Sequence, residues 1–129
     1  MPASIHCKDD CCAAIADYLF GKCEGHPTGY WSEILKNLLK CDKIKIAIID
    51  NDNEQVSCLR NHGFELKVDN PDFQIYEKNG KYVIVLKNSC EEFLKRKEKI
   101  KDKRNPRFTN DQKYKLNILK RELRKLSII

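Results

Sequence analysis

Residues 43–52 read KIKIAIIDND. Lysine and isoleucine alternate at first, and then Ile46, Ala47, Ile48 and Ile49 run without a polar break before the chain turns acidic at Asp50. Alternation marks a strand with one wet face, whereas a continuous β-branched run marks a strand covered on both faces, the setting of a central parallel strand. The abrupt change at Asp50 fixes where that strand ends. These ten residues predict an α/β fold and place two carboxylates, Asp50 and Asp52, at the carboxyl end of its central strand.

The flanking sequence has the same alternating character. Residues 3–7 predict a first strand. Asp9 or Asp10 is then suited to cap a helix, because a carboxylate can accept hydrogen bonds from the unpaired N–H groups of a first turn. That helix runs through residues 11–20 to a stop at Gly21. The loop KCEGHPTGY is rich in breakers, and Ser32 can cap a second helix carrying Ile34, Leu35, Leu38 and Leu39 at helical spacing. After Asp52 a helix is predicted across 54–61, with Val56 and Leu59 inward and His62 at its C-terminal end, where positive charge is favoured. A strand is predicted at 64–68, and Asp69-Asn-Pro-Asp reads as a turn. Segments 73–77 and 81–86 flank Lys78-Asn79-Gly80, a strong hairpin signal. Residues 91–104 read as a helix that becomes very basic. Thr109 and Gln112 open a last helix with a capping-box pattern, and Leu116, Leu119, Leu123 and Leu126 give it a narrow apolar stripe. That stripe can dock on its own domain, on a second copy or on a larger protein.

The predicted fold class is therefore a small, mostly parallel sheet with flanking helices, an added β-hairpin and a basic helical C-terminus. Residues 1–90 form the α/β domain, and 91–129 an extension packed on it. A length of 129 residues suits one such domain. With 34% charged and 41% hydrophobic residues the composition is neither disordered nor membrane-like. No apolar run approaches the roughly 20 residues needed to span a bilayer. The start MPASIHCKDD lacks a basic segment followed by a long apolar one, so no signal peptide and a cytoplasmic location are expected. On that expectation the seven cysteines, an odd count, read as buried free thiols rather than a disulfide framework.

Charge is unevenly spread. From Lys95 onward there are 14 Lys+Arg against 4 Asp+Glu, while the preceding residues carry a net −4. A slightly acidic body with a basic tail suggests an acidic partner, nucleic acid first. Lys95, Arg96, Lys97, Lys99, Lys101, Lys103, Arg104 and Arg107 can neutralise phosphates without reading bases. Only Phe108 and Tyr114 lie near for stacking, so base-specific single-strand recognition is unsupported.

The chemistry is expected at the carboxyl ends of the parallel strands, where open α/β sheets bind ligands. Two polar segments reach that edge: His6-Cys-Lys-Asp-Asp10 and Asp50-Asn-Asp52-Asn-Glu54. Carboxylates two residues apart repel unless a cation lies between them. Mg²⁺ favours a few carboxylates together with water and phosphate oxygens, and Mn²⁺ takes similar donors. Bound there, Mg²⁺ could polarise a phosphodiester. Helix capping after a strand is the simpler role for the same Asp and Asn residues.

An isoleucine-containing strand followed by Lys8-Asp9-Asp10 at a helix start, then a strand ending Ile-Ile-Asp50-Asn-Asp52, resembles the Toprim family. That family includes the catalytic domains of topoisomerases and primases and of OLD-type nucleases. Its pattern is a first strand ending Glu-Gly-Lys-x-Asp and a later strand ending Asp-x-Asp. The resemblance covers roughly residues 3–62, with the hairpin and 91–94 a weaker continuation. It implies Mg²⁺-dependent phosphodiester cleavage or transfer on nucleic acid, a metal-dependent nuclease activity. Asp50 and Asp52 would hold the ion, Asp10 and Glu54 would add ligands, and Lys8 would contact phosphate. Where the family has its glutamate and glycine, this chain has His6 and Cys7. The glutamate's role as acid/base or metal holder would therefore fall to Asp10, Glu54 or His6; His6 can move a proton near neutral pH but adds no negative charge. A domain of the same fold that binds without cleaving is the alternative this departure favours.

A third reading is a zinc-bearing interaction domain built from Cys7, Cys11 or Cys12 with Cys23 and His26. Cys23-Glu-Gly-His26 could supply one ligand pair of a tetrahedral site. Cys11 and Cys12 are adjacent on a predicted helix and point about 100° apart, so at most one joins Cys7. The resulting spacing is irregular, which disfavours structural zinc.

Overall fold

A computed structural model describes residues 4–7, 10–21, 36, 38–40, 44–50, 55–95 and 108–128. The strands are β1 (Ser4–Cys7), β2 (Ile44–Asp50), β3 (Glu65–Asp69), β4 (Phe73–Lys78) and β5 (Lys81–Leu86). The helices are α1 (Asp10–Phe20), α2 (Gln55–Asn61), α3 (Cys90–Phe93) and α4 (Asn110–Lys125), and residues 38–40 are also helical. The five strands form one sheet in the order β1-β2-β5-β4-β3.

The chain is α/β, as expected, but the sheet is only partly parallel. β2 pairs in parallel with β1 and β5, while β4 pairs antiparallel with β5 and β3. The hairpin is thus not an addition. Its second strand, β5, lies beside β2 and is as buried as β2 is. The sequence of β5, Tyr82-Val-Ile-Val-Leu86, has the same uninterrupted apolar character as Ile46–Ile49, and that character is what admits it to the sheet centre.

Side chains alternate across the sheet. Ile46 and Ile48 of β2, Ile84 and Leu86 of β5, and Phe73 and Ile75 of β4 enter a core shared with α1, with Cys90, Phe93 and Leu94, and with Leu116, Leu119 and Leu123 of α4. On the other face Ala47, Ile49, Val83, Val85 and Tyr76 meet Leu38, Leu59 and Phe64. Each fully buried Leu or Ile contributes about 1.5–3 kcal/mol relative to exposure. The leucine stripe of α4 is buried against its own chain.

Local signals end the elements where the sequence predicts. Gly21 has φ +79° and its N–H donates to Asp17 O at 2.8 Å. At the end of α2, Gly63 has φ +90°; its N–H donates to Arg60 O, and Phe64 N–H donates to Leu59 O, both at 3.0 Å. This is a Schellman stop with Leu59 and Phe64 packed together, and His62 sits at its exposed C-cap. Asn79 (φ 51°) and Gly80 (φ 79°) make the tight turn between β4 and β5.

One predicted helix breaks early. The run expected over 91–104 opens as a helix at Cys90–Phe93 and turns at Lys95, whose φ is +54°; the remainder of that run lies outside the described residues. The carbonyls that another turn would have used are held by α4 instead. Lys115 Nζ donates to Phe93 O and Gln112 Nε2 donates to Leu94 O, each at 3.0 Å. Tertiary partners thus replace the next helical turn. Among the described residues no helix is long and apolar enough to cross a membrane.

Candidate functional site

Because β1 and β2 are adjacent and parallel, their carboxyl ends lie at one edge of the sheet. Cys7 is in register with Ile48, two positions before the end of β2 at Asp50, so the last residues of the two strands lie side by side. α1 starts at Asp10, immediately beyond this edge. On the other side of β2, Asp50 is in register with Leu86, after which β5 gives way to α3. The edge therefore gathers the ends of three parallel strands and the starts of two helices.

Of the residues expected to carry chemistry, Asp50 closes β2, His6 lies in β1 in register with Ala47, and Asp10 opens α1. Lys95 follows α3 and is exposed. Lys8, Asp52, Glu54, Arg96, Lys97, Lys99, Lys101, Lys103, Arg104 and Arg107 lie outside the described residues, as do Cys23 and His26 of the zinc reading.

The free-thiol expectation fails at two positions. Cys11, in the first turn of α1, is joined to Cys90, the first residue of α3, with their Cα atoms 6.0 Å apart. The pairing links residues 79 positions apart, and no local spacing announces it. Its cause is topological. α1 leaves β1 and α3 leaves β5, on the same face of the sheet, and the two strands flank β2. The bond thus ties together the helices on either side of the strand that ends in Asp50. Cys7 and Cys12 are buried in the same core, and Cys58 is a half-buried free thiol on α2.

Beyond β5 and β4 the same edge carries a groove of about 430 Å³ lined by Asp72, Lys95, Asp111, Gln112, Tyr114 and Lys115 among others. Lys115 sits over the Phe93 ring, 5.4 Å from its centroid, and 3.9 Å from an Asp72 oxygen. Nearby, Lys87 Nζ donates to Asp69 Oδ1 at 2.8 Å and Gln74 Nε2 donates to the same oxygen at 3.1 Å. Those two hydrogen bonds hold the Asp69 carboxyl below its ordinary value of 3.8.

A second basic surface was not singled out from the sequence. Lys113, Asn117, Arg121 and Arg124 are all exposed and recur at helical spacing along the face of α4 opposite Leu116, Leu119 and Leu123. Neither Lys113, Arg121 nor Arg124 forms an ion pair with another described residue. Exposed Tyr114 borders the stripe. The signal was available: once the leucines are assigned to the core, the helical period places these cations outward.

No protein-family model, curated protein or solved structure matches the chain.

Proposed function

We propose that this chain is a Toprim-like domain that performs Mg²⁺-dependent phosphodiester cleavage or transfer on nucleic acid. The observation that supports the proposal is the parallel pairing of β1 with β2, which puts the end of β1, the start of α1 at Asp10 and the end of β2 at Asp50 on one sheet edge. A Toprim-like site needs that juxtaposition, and a different strand order would have separated the two halves.

The donor set suits the ion. Asp50 and Asp52, with Asp10 and Glu54 in support, offer hard carboxylate oxygens, the ligands Mg²⁺ and Mn²⁺ favour. When bound, the ion supplies Lewis-acid polarisation of a phosphoryl oxygen. The protein residues do the remainder. Lys8 contacts a phosphate, and His6 takes a proton from the attacking hydroxyl or water. The P–O bond that breaks leaves its electron pair on the departing oxygen. Lys95, the cations up to Arg107 and the outer stripe of α4 hold the backbone on either side.

A second reading keeps the fold and the nucleic-acid surface but not the reaction: a binding or scaffolding module. His6 and Cys7 at the family's glutamate and glycine positions favour it.

Nuclease assays on linear and nicked DNA and on RNA, with Mg²⁺ or Mn²⁺ at two salt concentrations, decide between these readings. Cleavage that drops at least a hundredfold in Asp50→Asn and in Asp52→Asn, without loss of melting temperature, is the expected result. Binding that weakens with salt but is never accompanied by cleavage supports the module. Absence of both activities overturns the nucleic-acid assignment.

A further inference from the structure

A second set of metal-ligating atoms lies apart from the Asp50 and Asp52 carboxylates. The sulfurs of Cys11 and Cys90 and a carboxylate oxygen of Glu91 are all within 4.8 Å of one another. Cys11 and Cys90 are 1% and 0% exposed, while Glu91 is half-buried at the rim. The two cysteines are joined in the structure, and their Cα separation of 6.0 Å is compatible with a disulfide. It is compatible with a second state as well. Two thiolates on one tetrahedral zinc-class ion, each about 2.3 Å from it, need their sulfurs about 3.8 Å apart, inside the 4.8 Å span that already holds the three ligand atoms. The Glu91 carboxylate supplies a third donor to such an ion.

We propose that the dithiol form of Cys11 and Cys90, together with Glu91, binds a zinc-class divalent ion, and that oxidation of the pair to the disulfide excludes it. Two thiolates and one carboxylate favour Zn²⁺ over Mg²⁺, so this ion does not compete with the one assigned to Asp50 and Asp52. Water completes the fourth position from the solvent side of Glu91. The interconversion is a two-electron exchange with an external dithiol. Its thiolate attacks one sulfur, the Cys11–Cys90 bond breaks, the protein sulfurs receive two electrons and two protons, and the external dithiol becomes a disulfide. Ion binding then displaces the two thiol protons into solvent. In both states α1 and α3 remain tied across the end of β2, by a covalent bond in one and by shared ligation in the other.

The test uses the full chain, stripped of metal, reduced with a phosphine that is then removed anaerobically, and titrated with Co²⁺. The expected result is a thiolate-to-cobalt charge-transfer band that saturates at one equivalent and is displaced by Zn²⁺. Cys90→Ser should abolish the band, Glu91→Gln should weaken Co²⁺ affinity about tenfold or more, and Cys58→Ser should change nothing. Wild-type protein oxidised with diamide should give no band. Asp50→Asn should retain the band, which keeps this outcome separate from that of the nuclease assay. No band in the reduced wild type overturns the proposal, as does an undiminished band in Cys90→Ser or in the oxidised protein. Should Cys90→Ser fail to fold by far-ultraviolet circular dichroism, Glu91→Gln and the oxidised wild type still decide, because unchanged affinity in either is equally fatal.

Discussion

Asp69 ends β3 with its carboxylate held by Lys87 and Gln74, and its pKa is lowered for that reason. A carboxyl with a depressed folded value stabilises the fold above its unfolded pKa, and that contribution is lost as pH falls through the folded value. Lys87→Met removes the larger cause. Asp69 should then titrate closer to 3.8 in a carboxyl NMR titration, and acid unfolding should begin at a slightly higher pH. Stability at pH 7 should barely change, since exposed ion pairs contribute little. A titration midpoint unmoved by the substitution would show that Lys87 does not hold the group. Gln112 is the opposite case, a polar residue only 8% exposed. Its polar groups are all engaged within the chain: the backbone N–H donates to Thr109 Oγ1, Oε1 accepts from the Thr109 N–H, and Nε2 donates to Leu94 O. Gln112→Ala removes half of a capping box and leaves the buried Leu94 carbonyl unpaired. A loss of about 1–3 kcal/mol is expected, read as a fall in the urea midpoint at constant slope.

Among the elements, α4 shows how far a local pattern carries. Its Thr109 cap, its Gln112 partner and its leucine stripe were all legible, because capping and the 3.6-residue period are properties of neighbouring residues. Leu119→Ala, at a position 0% exposed within the core shared by α1 and the sheet, should cost about 2–5 kcal/mol in thermal or urea unfolding. A smaller cost would mean that α4 packs only loosely on the sheet. The central strand β2 and the Asn79-Gly80 hairpin were legible for the same reason. The early end of α3 was not, because it depends on Lys115 and Gln112 about twenty positions later in the chain. Nor did the hairpin signal say where the hairpin goes. Asn-Gly specifies that β4 and β5 pair with each other, whereas the place of β5 beside β2 is set by a shared apolar character that also fits an edge-packed or separate hairpin.

At the scale of the whole molecule, the sheet order brings the end of β1 and the start of α1 to the end of β2, and it also brings Cys11 to Cys90. The first consequence was foreshadowed by the Lys8-Asp9-Asp10 and Asp50-Asn-Asp52 segments. The second was not, because a cysteine pair 79 positions apart has no sequence signature, and its formation depends on two helices leaving alternate strands on one face. A cross-link over so long a loop removes much entropy from the unfolded chain. Reduction is therefore expected to lower stability by about 4 kcal/mol. Matched urea curves of oxidised and reduced wild type in the presence of a chelator measure this, and coincident midpoints would show that the bond bears no share of stability.

The same bond divides the chain mechanically. β2, β3, β4 and β5 all lie between Cys11 and Cys90, so four of the five described strands belong to a closed covalent loop. A protein pulled by its two ends in an optical trap can lengthen only through the stretches outside that loop, whatever becomes of the sheet. Adding a reductant during the pull should release the chain between Cys11 and Cys90, which lie 79 positions apart, in one further event, a gain of about 260 Å at full extension.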